Sequence, residues 1–324
     1  MRYRELGRSG LSFSEVGFGA WAIGGGMWGG KRDDDSRRAL RRAVEHGVNF
    51  VDTALVYGDG HSEKLVGELV RERRSGQTPL FIATKVPGKA YQWPARPDAK
   101  LKDFFPRDWV TKCAERSLAN LGVDCIDLLQ LHVWAEAWTD EDEWWEALSS
   151  LKQAGKIRCA GVSINSHDPK SAVRLARSGR VEALQVFYNI FDQSPEDELF
   201  SACQEHGVGV LARVPFDESS LTGKLTLDTK FPDGDFRREY FGGDLLRQTV
   251  QKVDSMRPVV EGAAKTMARG ALRYCLSHPA VTSVIPGMRS DSQVDENCAA
   301  SDDGPLSPAT LAELRAYRWV RGPY

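Results

Sequence analysis

Four side chains that can donate or accept a proton follow apolar segments in the first half of the chain. Asp52 ends a short apolar run, and Tyr57 lies just beyond it in a glycine-rich turn. Lys85 and His132 lie at the ends of the next two apolar runs. Parallel barrels place their chemistry where the C-terminal end of a strand meets the following loop. A carboxylate, a phenol, an amine and an imidazole at such ends therefore predict a site for proton transfer.

The elements that must position these residues alternate regularly. Eight apolar runs predict buried strands: Val16–Ala20, Phe50–Ala54, Phe81–Val86, Cys125–His132, Cys159–Ile164, Ala183–Asn189, Gly209–Val214 and Val281–Gly287. Amphipathic stretches between them predict helices, for example Asp35–His46, Ser62–Arg74, Pro106–Leu121, Glu141–Ala154 and Pro195–His206. Glycine after several of these helices, with an apolar run soon afterwards, is typical of repeated βα units. Eight such units predict an α/β fold, a closed (β/α)8 TIM barrel.

A doubly wound open sheet is the competing fold, and it requires a Gly-x-Gly-x-x-Gly turn that opens a helix. Glycines occur over Gly17–Gly26, but the Met-Trp-Gly-Gly that follows does not open a helix, which excludes the fingerprint. Residues 2–13 predict an N-terminal β-hairpin, and residues 305–319 predict an extra C-terminal helix. Residues 215–257 form a long connection whose composition is compatible with an ordered clamp or a mobile loop. We expect residues 1–324 to form a single barrel domain.

Composition and charge are those of an ordinary soluble protein. Hydrophobic residues make up 41% and charged residues 27% of the chain, and the net charge of −2 gives no sign of nucleic-acid or membrane-surface binding. The charged N-terminus lacks the apolar region of a signal peptide, and no uncharged stretch has the composition of a membrane-spanning helix. Six cysteines, none in a Cys-x-x-Cys pair, indicate reduced thiols. We therefore expect a cytoplasmic protein without a bound metal.

Further motifs occur at the remaining strand ends and in the last predicted helix. Together with the first four residues they are Asp52-Thr-Ala, Val-Tyr57-Gly, Ser62-Glu63, Thr84-Lys85, Asp127-Leu-Leu-Gln-Leu-His132, Gly161-Val-Ser163, Gln185 ahead of Tyr188-Asn189, Leu221-Thr-Gly-Lys224, and Ile285-Pro-Gly287 with Gln293 and Asn297. In this order the chain resembles the aldo-keto reductases over nearly its whole length, in particular their bacterial and potassium-channel beta-subunit-like branches. The resemblance implies an NADPH-dependent oxidoreductase that reduces aldehydes or ketones to alcohols in a barrel without a Rossmann domain.

The resemblance also implies roles for the first four residues. Hydride addition to a carbonyl leaves an alkoxide, which needs a proton donor and stabilisation of its negative charge. Tyr57 would donate the proton, although a free phenol with a pKa of about 10 is a poor acid. Lys85 would favour the phenolate, Asp52 would pair with Lys85, and His132 would orient the carbonyl oxygen through a hydrogen bond.

Three residues would lie at the nicotinamide end of the cofactor. Ser163 and Gln185 would hold its carboxamide, and barrel packing is the alternative role for such polar residues. The family often has an aromatic residue after the seventh strand, where this chain has Arg213, whose guanidinium plane could stack instead. Asn165 is left unassigned, because Ile164 separates it from Ser163 and a shift of one residue reverses the face of a strand side chain.

The adenosine end would lie at the last part of the barrel. Gly287 and the helix after it offer backbone N–H groups and the positive end of a helix dipole to an anion. Arg289, with Ser290, would bind a 2′-phosphate, because a guanidinium can meet phosphate with two hydrogen bonds. Gln293 and Asn297 share one helical face, so that both could reach the adenine. A ligand for the 2′-phosphate implies NADPH in preference to NADH.

Aromatic side chains in two loops predict the wall of the substrate pocket. Trp21, Met27 and Trp28 lie in the first loop, and Trp134 and Trp138 lie in the loop after the fourth strand. We expect Trp21, Trp28 and Trp134 to contact the substrate, which suits an apolar or aromatic aldehyde. The sequence does not select one small carbonyl compound, and it is compatible with a monomer or a homo-oligomer.

Two other functions are compatible with these residues. A sensor or docking module that binds NADPH, with slow turnover, would need the cofactor residues but not an efficient acid. A lyase would use Lys85 as a Schiff-base nucleophile, which leaves the helix that carries Arg289, Gln293 and Asn297 without a purpose. The complete set of Asp, Tyr, Lys and His favours the reductase.

Overall fold

The structure, a computed structural model, describes residues 1–25, 33–73 and 79–320. Its strands are β1 (Tyr3–Glu5), β2 (Ser12–Ser14), β3 (Phe18–Gly19), β4 (Phe50–Asp52), β5 (Phe81–Val86), β6 (Ile126–Leu131), β7 (Ile157–Ser163), β8 (Ala183–Phe187), β9 (Gly209–Arg213) and β10 (Val281–Val284). Its helices are α1 (Asp33–Glu45), α2 (His61–Glu72), α3 (Leu101–Phe104), α4 (Arg107–Leu121), α5 (Glu143–Gln153), α6 (Val173–Arg177), α7 (Leu199–Glu205), α8 (Arg237–Tyr240), α9 (Leu245–Ala263), α10 (Met267–Ser277), α11 (Asp291–Asp303) and α12 (Pro308–Leu314). Short 3-10 helices cover Ala22–Gly24, Glu136–Asp140, Pro169–Ala172, Ser194–Glu196, Ser220–Thr222 and Arg315–Tyr317.

Strands β3 to β10 form one parallel sheet in which every strand neighbours the next one along the chain. Bridges between Val16 and Val284 and between Gly19 and Gly287 join the first of these strands to the last. A backbone hydrogen bond from Gly19 N–H to Pro286 O supports the same junction. The sheet is therefore closed, and the predicted (β/α)8 TIM barrel is confirmed.

Predicted and observed boundaries differ mainly at the ends of elements. The strand Phe81–Val86 has the predicted bounds, and β7 begins two residues before its apolar run and ends one residue before the end of that run. The other barrel strands are shorter than their apolar runs, because the last residues of each run enter the following loop. The predicted helix Pro195–His206 is divided into the 3-10 helix Ser194–Glu196 and α7. The backbone of Glu198, with a φ of −150°, lies outside the helical region and separates the two.

The N-terminal hairpin covers the end of the barrel at which the strands begin. Strands β1 and β2 pair in antiparallel orientation, as predicted. The Phe13 ring stacks on Phe50, the first residue of β4, with 4.2 Å between the ring centroids. Gly7 in the hairpin turn has a φ of +51°, and a Cβ atom there would lie 2.3 Å from the backbone oxygen of Gly207. Only glycine therefore allows the hairpin to approach the barrel this closely.

The inside of the barrel is apolar next to the hairpin and polar at the other end. The apolar cluster consists of Leu6, Phe13, Phe50, Phe81, Ala83, Leu128, Cys159, Ala183, Leu211 and Ile285. Successive side chains of a strand point to opposite faces, so residues two apart share a face. Two positions after five members of this cluster, on the same inward face, come Asp52, Lys85, Gln130, Gln185 and Arg213. A larger apolar core lies between the sheet and the surrounding helices.

The connection after β9 reaches the first loop of the barrel. It contains the 3-10 helix Ser220–Thr222 and α8 before α9 begins. The Phe236 ring in this connection lies 5.2 Å from the Trp21 ring, measured between centroids. The extra C-terminal helix predicted for residues 305–319 is present as α12. Among the helices in the described ranges, none has both the length and the apolar composition needed to cross a membrane.

Candidate active site

Lys85 lies at the centre of the predicted proton-transfer residues. Its Nζ atom is 2.6 Å from Asp52 Oδ2, 2.7 Å from the backbone oxygen of Thr53 and 3.3 Å from Tyr57 Oη. The His132 ring meets the Tyr57 ring edge to face, with 5.9 Å between the centroids. The structure thus brings the four predicted side chains together at the C-terminal ends of β4, β5 and β6.

The loop between β4 and α2 holds Tyr57 next to Lys85. The Tyr57 N–H donates to the backbone oxygen of Ala54, and the chain continues through Gly58 with a φ of +64°. A Cβ atom at Gly58 would lie 2.1 Å from the backbone oxygen of Gly24. Glycine is therefore required directly after the tyrosine, and this close contact joins the loop to the first loop of the barrel.

A buried carboxylate supports the cluster from outside the barrel. Glu63, in the first turn of α2, accepts hydrogen bonds from Thr84 Oγ1 at 2.6 Å and from Asn120 Nδ2 at 2.8 Å. Thr84 directly precedes Lys85, so the two side chains point to opposite faces of β5. The contact of Thr84 with Glu63 therefore holds β5 from its outer face while Lys85 points inward.

Burial and neighbouring charges set the protonation of Lys85 and Tyr57. Burial lowers the pKa of Lys85, but the Asp52 carboxylate and Tyr57 outweigh it, so the pKa lies above its ordinary value and the amine stays protonated. Burial also raises the pKa of Tyr57 above its ordinary value, and the positive charge of Lys85 opposes this rise. The phenol therefore keeps its proton at neutral pH and has a permanent cation beside it that can stabilise the phenolate.

His132 offers a neutral hydrogen-bond donor on the same side of the opening. Its backbone N–H donates to Val86 O at 2.9 Å, which continues the pairing of β6 with β5. Burial, together with the positive charges of Lys85 and Arg213, holds the pKa of the imidazole well below its ordinary value. A neutral imidazole carries one N–H, which can be donated to a carbonyl oxygen.

Buried amides connect the proton-transfer residues to the expected nicotinamide residues. Ser163 Oγ lies 3.3 Å from Gln185 Oε1, and Gln185 Nε2 lies 2.7 Å from Asp52 Oδ1. Gln130 Nε2 on β6 lies 3.3 Å from the same carboxylate oxygen. The sequence interpretation did not assign a role to Gln130. The signal was an inward-facing amide two positions before His132, between two leucines of the strand.

Arg213 ends β9 and contacts the loop after β7. Its Nη2 donates to the backbone oxygen of Ile164 and to Ser166 Oγ, both at 3.1 Å. Asn165, left unassigned above, bonds both the N–H and the carbonyl oxygen of Ala95, at 3.3 and 3.2 Å. The guanidinium is therefore held at the barrel opening, and Asn165 stabilises the neighbouring loop after β5.

The expected adenosine residues surround the start of α11. Ser290 caps this helix by accepting the N–H of Gln293, whose Oε1 accepts the N–H of Arg289 at 2.7 Å. Gly287 is exposed, and a Cβ atom there would meet no described atom within 4 Å. Asn297 is buried on the same helix. Open space beside the Gly287 backbone, an exposed Arg289 and a helix N-terminus together fit the phosphate groups of a dinucleotide.

Aromatic rings surround the opening above Tyr57. The Trp21 ring lies 6.2 Å from Tyr57 and 5.2 Å from Phe236, measured between centroids. Trp93, from the loop after β5, is 41% exposed, and its ring lies 5.7 Å from Arg213 Cζ. Trp21 therefore lies where a substrate wall was expected. Trp93 and Phe236 come from long loops whose paths the sequence did not reveal.

Trp134 does not line the opening, and the prediction that it contacts substrate is wrong. Trp134 and Trp138 are fully buried, and the Trp134 ring lies 5.8 Å from Trp138 and 5.1 Å from Trp144, measured between centroids. Trp134 Nε1 donates to the backbone oxygen of Ser171. These rings fill the core after β6, where a ligand cannot reach them. Trp28, the third predicted wall residue, lies outside the described residues.

The described part of the chain was also compared with the geometry of metal sites and of reactive cysteines. Among those residues, no group of three or more His, Cys, Asp or Glu side chains could hold a metal ion. All six cysteines are free thiols. Burial raises the pKa of Cys113 to about 12 and that of Cys159 to about 11, so neither thiol is a good nucleophile at neutral pH.

Comparisons with known proteins agree with this geometry. Residues 15–318 match the family model described as the aldo/keto reductase family. A probable voltage-gated potassium channel subunit beta of Arabidopsis thaliana is 30% identical over 325 residues, which cover 97% of this chain and 95% of the relative. The NADH-specific methylglyoxal reductase of Escherichia coli is 28% identical over 309 residues, 93% of each chain. The holo structure of aldo-keto reductase AKR11C1 from Bacillus halodurans has a TM-score of 0.77 at 28% identity, with 100% of this chain and 98% of that chain covered.

Proposed function

This chain belongs to the aldo/keto reductase family, and we propose that it reduces aldehydes or ketones to alcohols with NADPH, with Tyr57 as the general acid. One observation carries the proposal. Lys85 Nζ lies 2.6 Å from Asp52 Oδ2 and 3.3 Å from Tyr57 Oη, so a buried ammonium with a compensating carboxylate contacts a phenol at the barrel opening. This arrangement supports proton donation to an oxygen placed beside the phenol.

Each of the four residues would perform a separate task. NADPH, when bound, supplies the hydride for the carbonyl carbon. Tyr57 gives its proton to the carbonyl oxygen, and Lys85 stabilises the phenolate that remains. Asp52 keeps Lys85 charged and directed toward Tyr57. His132, which stays neutral, donates a hydrogen bond to the same carbonyl oxygen and so orients the substrate.

The cofactor would extend from the polar end of the barrel to the start of α11. Ser163 and Gln185 would hold the nicotinamide carboxamide, and Arg213 would stack on the ring. Arg289 would bind the 2′-phosphate, and its exposure beside the open space at Gly287 supports NADPH. One relative is named as NADH-specific, so the preference for NADPH is a property to be measured on this chain.

The wall of the opening supports an apolar or aromatic substrate. Trp21, Trp93 and Phe236 present ring faces and edges around Tyr57 and His132. Apolar walls with a few convergent polar groups are typical of small-molecule sites. We therefore expect aromatic aldehydes to be reduced more efficiently than small aliphatic ones.

The same geometry argues against the lyase alternative. A lysine that forms a Schiff base needs a lowered pKa, so that its amine is free to attack. Burial lowers the pKa of Lys85, but Asp52 and Tyr57 raise it further than burial lowers it. The amine is therefore protonated and already bonded to three oxygens, which is unsuitable for a nucleophile.

The test begins with titration of the purified protein with NADPH and NADH, followed by turnover of 4-nitrobenzaldehyde. Tyr57→Phe removes the proposed acid, and Tyr3→Phe is the matched control, because the Tyr3 hydroxyl bonds Gly47 O far from the site. We expect all three proteins to bind NADPH, and turnover to fall roughly 10²- to 10⁴-fold in Tyr57→Phe alone. Equal turnover in Tyr57→Phe and the wild type would refute the acid. Failure to bind either nucleotide would refute the cofactor.

A binding module remains the second candidate, and the likeness to a potassium channel subunit beta favours it. Such a module would hold NADPH tightly and signal its presence to a partner, with slow hydride transfer. Tight binding of NADPH, together with turnover that is equally poor in the wild type and in Tyr57→Phe, would select this function. Fast turnover in the wild type alone would select the reductase.

A further inference from the structure

A row of polar residues crosses the inside of the barrel above its apolar cluster. Strands β4, β6 and β8 contribute Asp52, Gln130 and Gln185, which are exposed by only 3%, 0% and 1%. Two positions earlier, each of these strands contributes an apolar side chain to the cluster. Alternate strands of a (β/α)8 barrel supply its interior layers, mainly with branched apolar residues. Packing therefore does not explain the presence of one carboxylate and two amides in this layer.

The two amides and the lysine divide the oxygens of Asp52 between them. Gln185 Nε2 lies 2.7 Å and Gln130 Nε2 lies 3.3 Å from Asp52 Oδ1. Lys85 Nζ lies 2.6 Å from Asp52 Oδ2. With both oxygens bonded, the carboxylate cannot rotate without losing a partner. The direction of Oδ2 is therefore fixed, and with it the position of the ammonium 3.3 Å from Tyr57 Oη.

Packing by itself would favour leucine at position 130. A buried amide costs free energy unless it regains inside the protein the hydrogen bonds that it loses from water. The amide of Gln130 lies among the polar row, with Nε2 3.3 Å from Asp52 Oδ1 and Oε1 3.5 Å from Gln185 Nε2. The hydrogen bond to the carboxylate is the interaction that an apolar residue of similar size would not provide.

We propose that Gln130 is a positioning residue, which holds Asp52 in the orientation that keeps Lys85 against Tyr57. This inference rests on the proposed reductase function and adds a residue to it. Gln185, which shares Asp52 with Gln130, also contacts Ser163 and so belongs to the expected carboxamide position. Gln130 lies within hydrogen-bond distance of Asp52, whereas the hydrogen bond of Ser163 goes to Gln185. The contact of Gln130 with Gln185 is the longer one, at 3.5 Å, so the loss of Gln130 should affect proton donation more than cofactor affinity.

The first variant is Gln130→Leu, which keeps the size of the side chain and removes the hydrogen bond to Asp52. We expect kcat to fall roughly 10- to 100-fold, the usual effect of displacing a reacting group by about an ångström. The dissociation constant for NADPH should stay within about twofold. When Lys85 is less firmly held, its charge lowers the pKa of Tyr57 less, so the decline of kcat at high pH should move to higher pH.

The second variant, Gln130→Glu, tests the same contact with a side chain of the same shape. The introduced carboxyl lies beside Asp52, and two carboxyl groups in contact raise the pKa of one of them strongly. Below that raised pKa the introduced group is protonated and can donate to Asp52, as the amide does. We therefore expect the kcat of Gln130→Glu, relative to the wild type, to recover as the pH falls. A merely structural role would leave this ratio independent of pH.

Gln193→Leu is the matched control. Gln193 is also a buried glutamine, but its Nε2 donates to the backbone oxygens of Ile190 and Leu314. The control should lower stability without changing the pH profile of kcat. Unchanged kcat and pH profile in Gln130→Leu, or a pH-independent ratio in Gln130→Glu, would overturn the proposal.

A measurement without turnover separates this proposal from the proposed function. The ¹³Cζ resonance of Tyr57, assigned by comparison with Tyr57→Phe, reports the contact of the phenol with Lys85 at neutral pH. We expect this resonance to shift in Gln130→Leu and to stay in place in Gln193→Leu. If the wild type reduces no carbonyl compound, the proposed reductase function is refuted. The Tyr57 resonance would still show whether Gln130 holds the contact between Lys85 and Tyr57. An unmoved resonance in Gln130→Leu would refute the positioning role even in an active enzyme.

Discussion

Asp52 and Lys85 form an ion pair that is almost completely removed from solvent, with 2.6 Å between Oδ2 and Nζ and side-chain exposures of 4% and 0%. Each charge depends on the other, because an unpaired charge at this depth has lost its hydration without compensation. Lys85 also lies 4.9 Å from the centre of the Tyr57 ring. The ion pair therefore links the stability of the barrel to the chemistry at its opening.

Removal of one partner of this pair should destabilise the protein strongly. Lys85→Met leaves the Asp52 carboxylate buried without its cation, and we expect the free energy of unfolding at neutral pH to fall by about 3–5 kcal/mol. The double variant Asp52→Asn, Lys85→Met should regain part of this loss. Urea unfolding measures both. The control is Lys152→Met, whose partly exposed pair with Glu182 should contribute at most about 1 kcal/mol. Similar losses for Lys85→Met and Lys152→Met would contradict the prediction.

His132 should make the stability of the wild type depend on pH in the acid range. Burial and the charges of Lys85 and Arg213 hold the pKa of the folded imidazole well below 6.5. As the pH falls through about 6.5, the unfolded chain takes up a proton that the folded chain does not, so stability is lost on acidification.

The variant His132→Gln lacks this titration. We expect the wild type to lose on the order of 1 kcal/mol of unfolding free energy relative to His132→Gln between about pH 7.5 and 5.5. Urea unfolding of both proteins at several pH values measures the difference. A difference that is constant across this range would mean that the folded imidazole takes up the proton as readily as the unfolded one.

Arg289 should determine the preference between the two nucleotides. Arg289→Ala removes the proposed hydrogen bonds to the 2′-phosphate, so the dissociation constant for NADPH should rise roughly 10- to 100-fold. The constant for NADH, which lacks this phosphate, should change by less than about twofold. The control Arg247→Ala removes an exposed arginine on α9 that pairs with Asp244. If Arg289→Ala raises the dissociation constants for NADPH and NADH by the same factor, this residue does not bind the 2′-phosphate.

Trp93 should favour aromatic substrates through its contact with His132, 5.2 Å between ring centroids. Trp93→Ala should lower kcat/KM for 4-nitrobenzaldehyde roughly tenfold more than for propanal, because a flat aromatic aldehyde loses a packing partner. Tyr91→Ala is the control, since Tyr91 is 68% exposed and its ring faces Trp109. An equal loss for both aldehydes would indicate that Trp93 acts by holding His132 and not by contacting the substrate.

Local patterns were sufficient for the parts of the site that belong to strands. The alternation of side chains places Asp52, Lys85 and Gln185 on the inward face of their strands, and parallel strands bring their C-terminal ends to one side of the barrel. The glycine after Tyr57 indicated the turn that presents the phenol. The wrong assignment of Trp134 shows the limit of this reasoning. The side chain of an aromatic residue that follows a strand can pack into the core between sheet and helices, or it can line the opening of the barrel, and the local sequence does not distinguish the two.

The sequence by itself determined the order of the elements and the inward direction of the residues at the strand ends, because these follow from periodicities within single strands and helices. It also indicated the barrel, through the number of its βα units. The tertiary structure alone decided that Gln130 and Gln185 share one oxygen of Asp52, and that Trp93 and Phe236 reach the opening. These contacts join residues far apart in the chain. Their distances depend on how the barrel closes and where the loops run, whereas a local pattern specifies only the face on which a side chain lies.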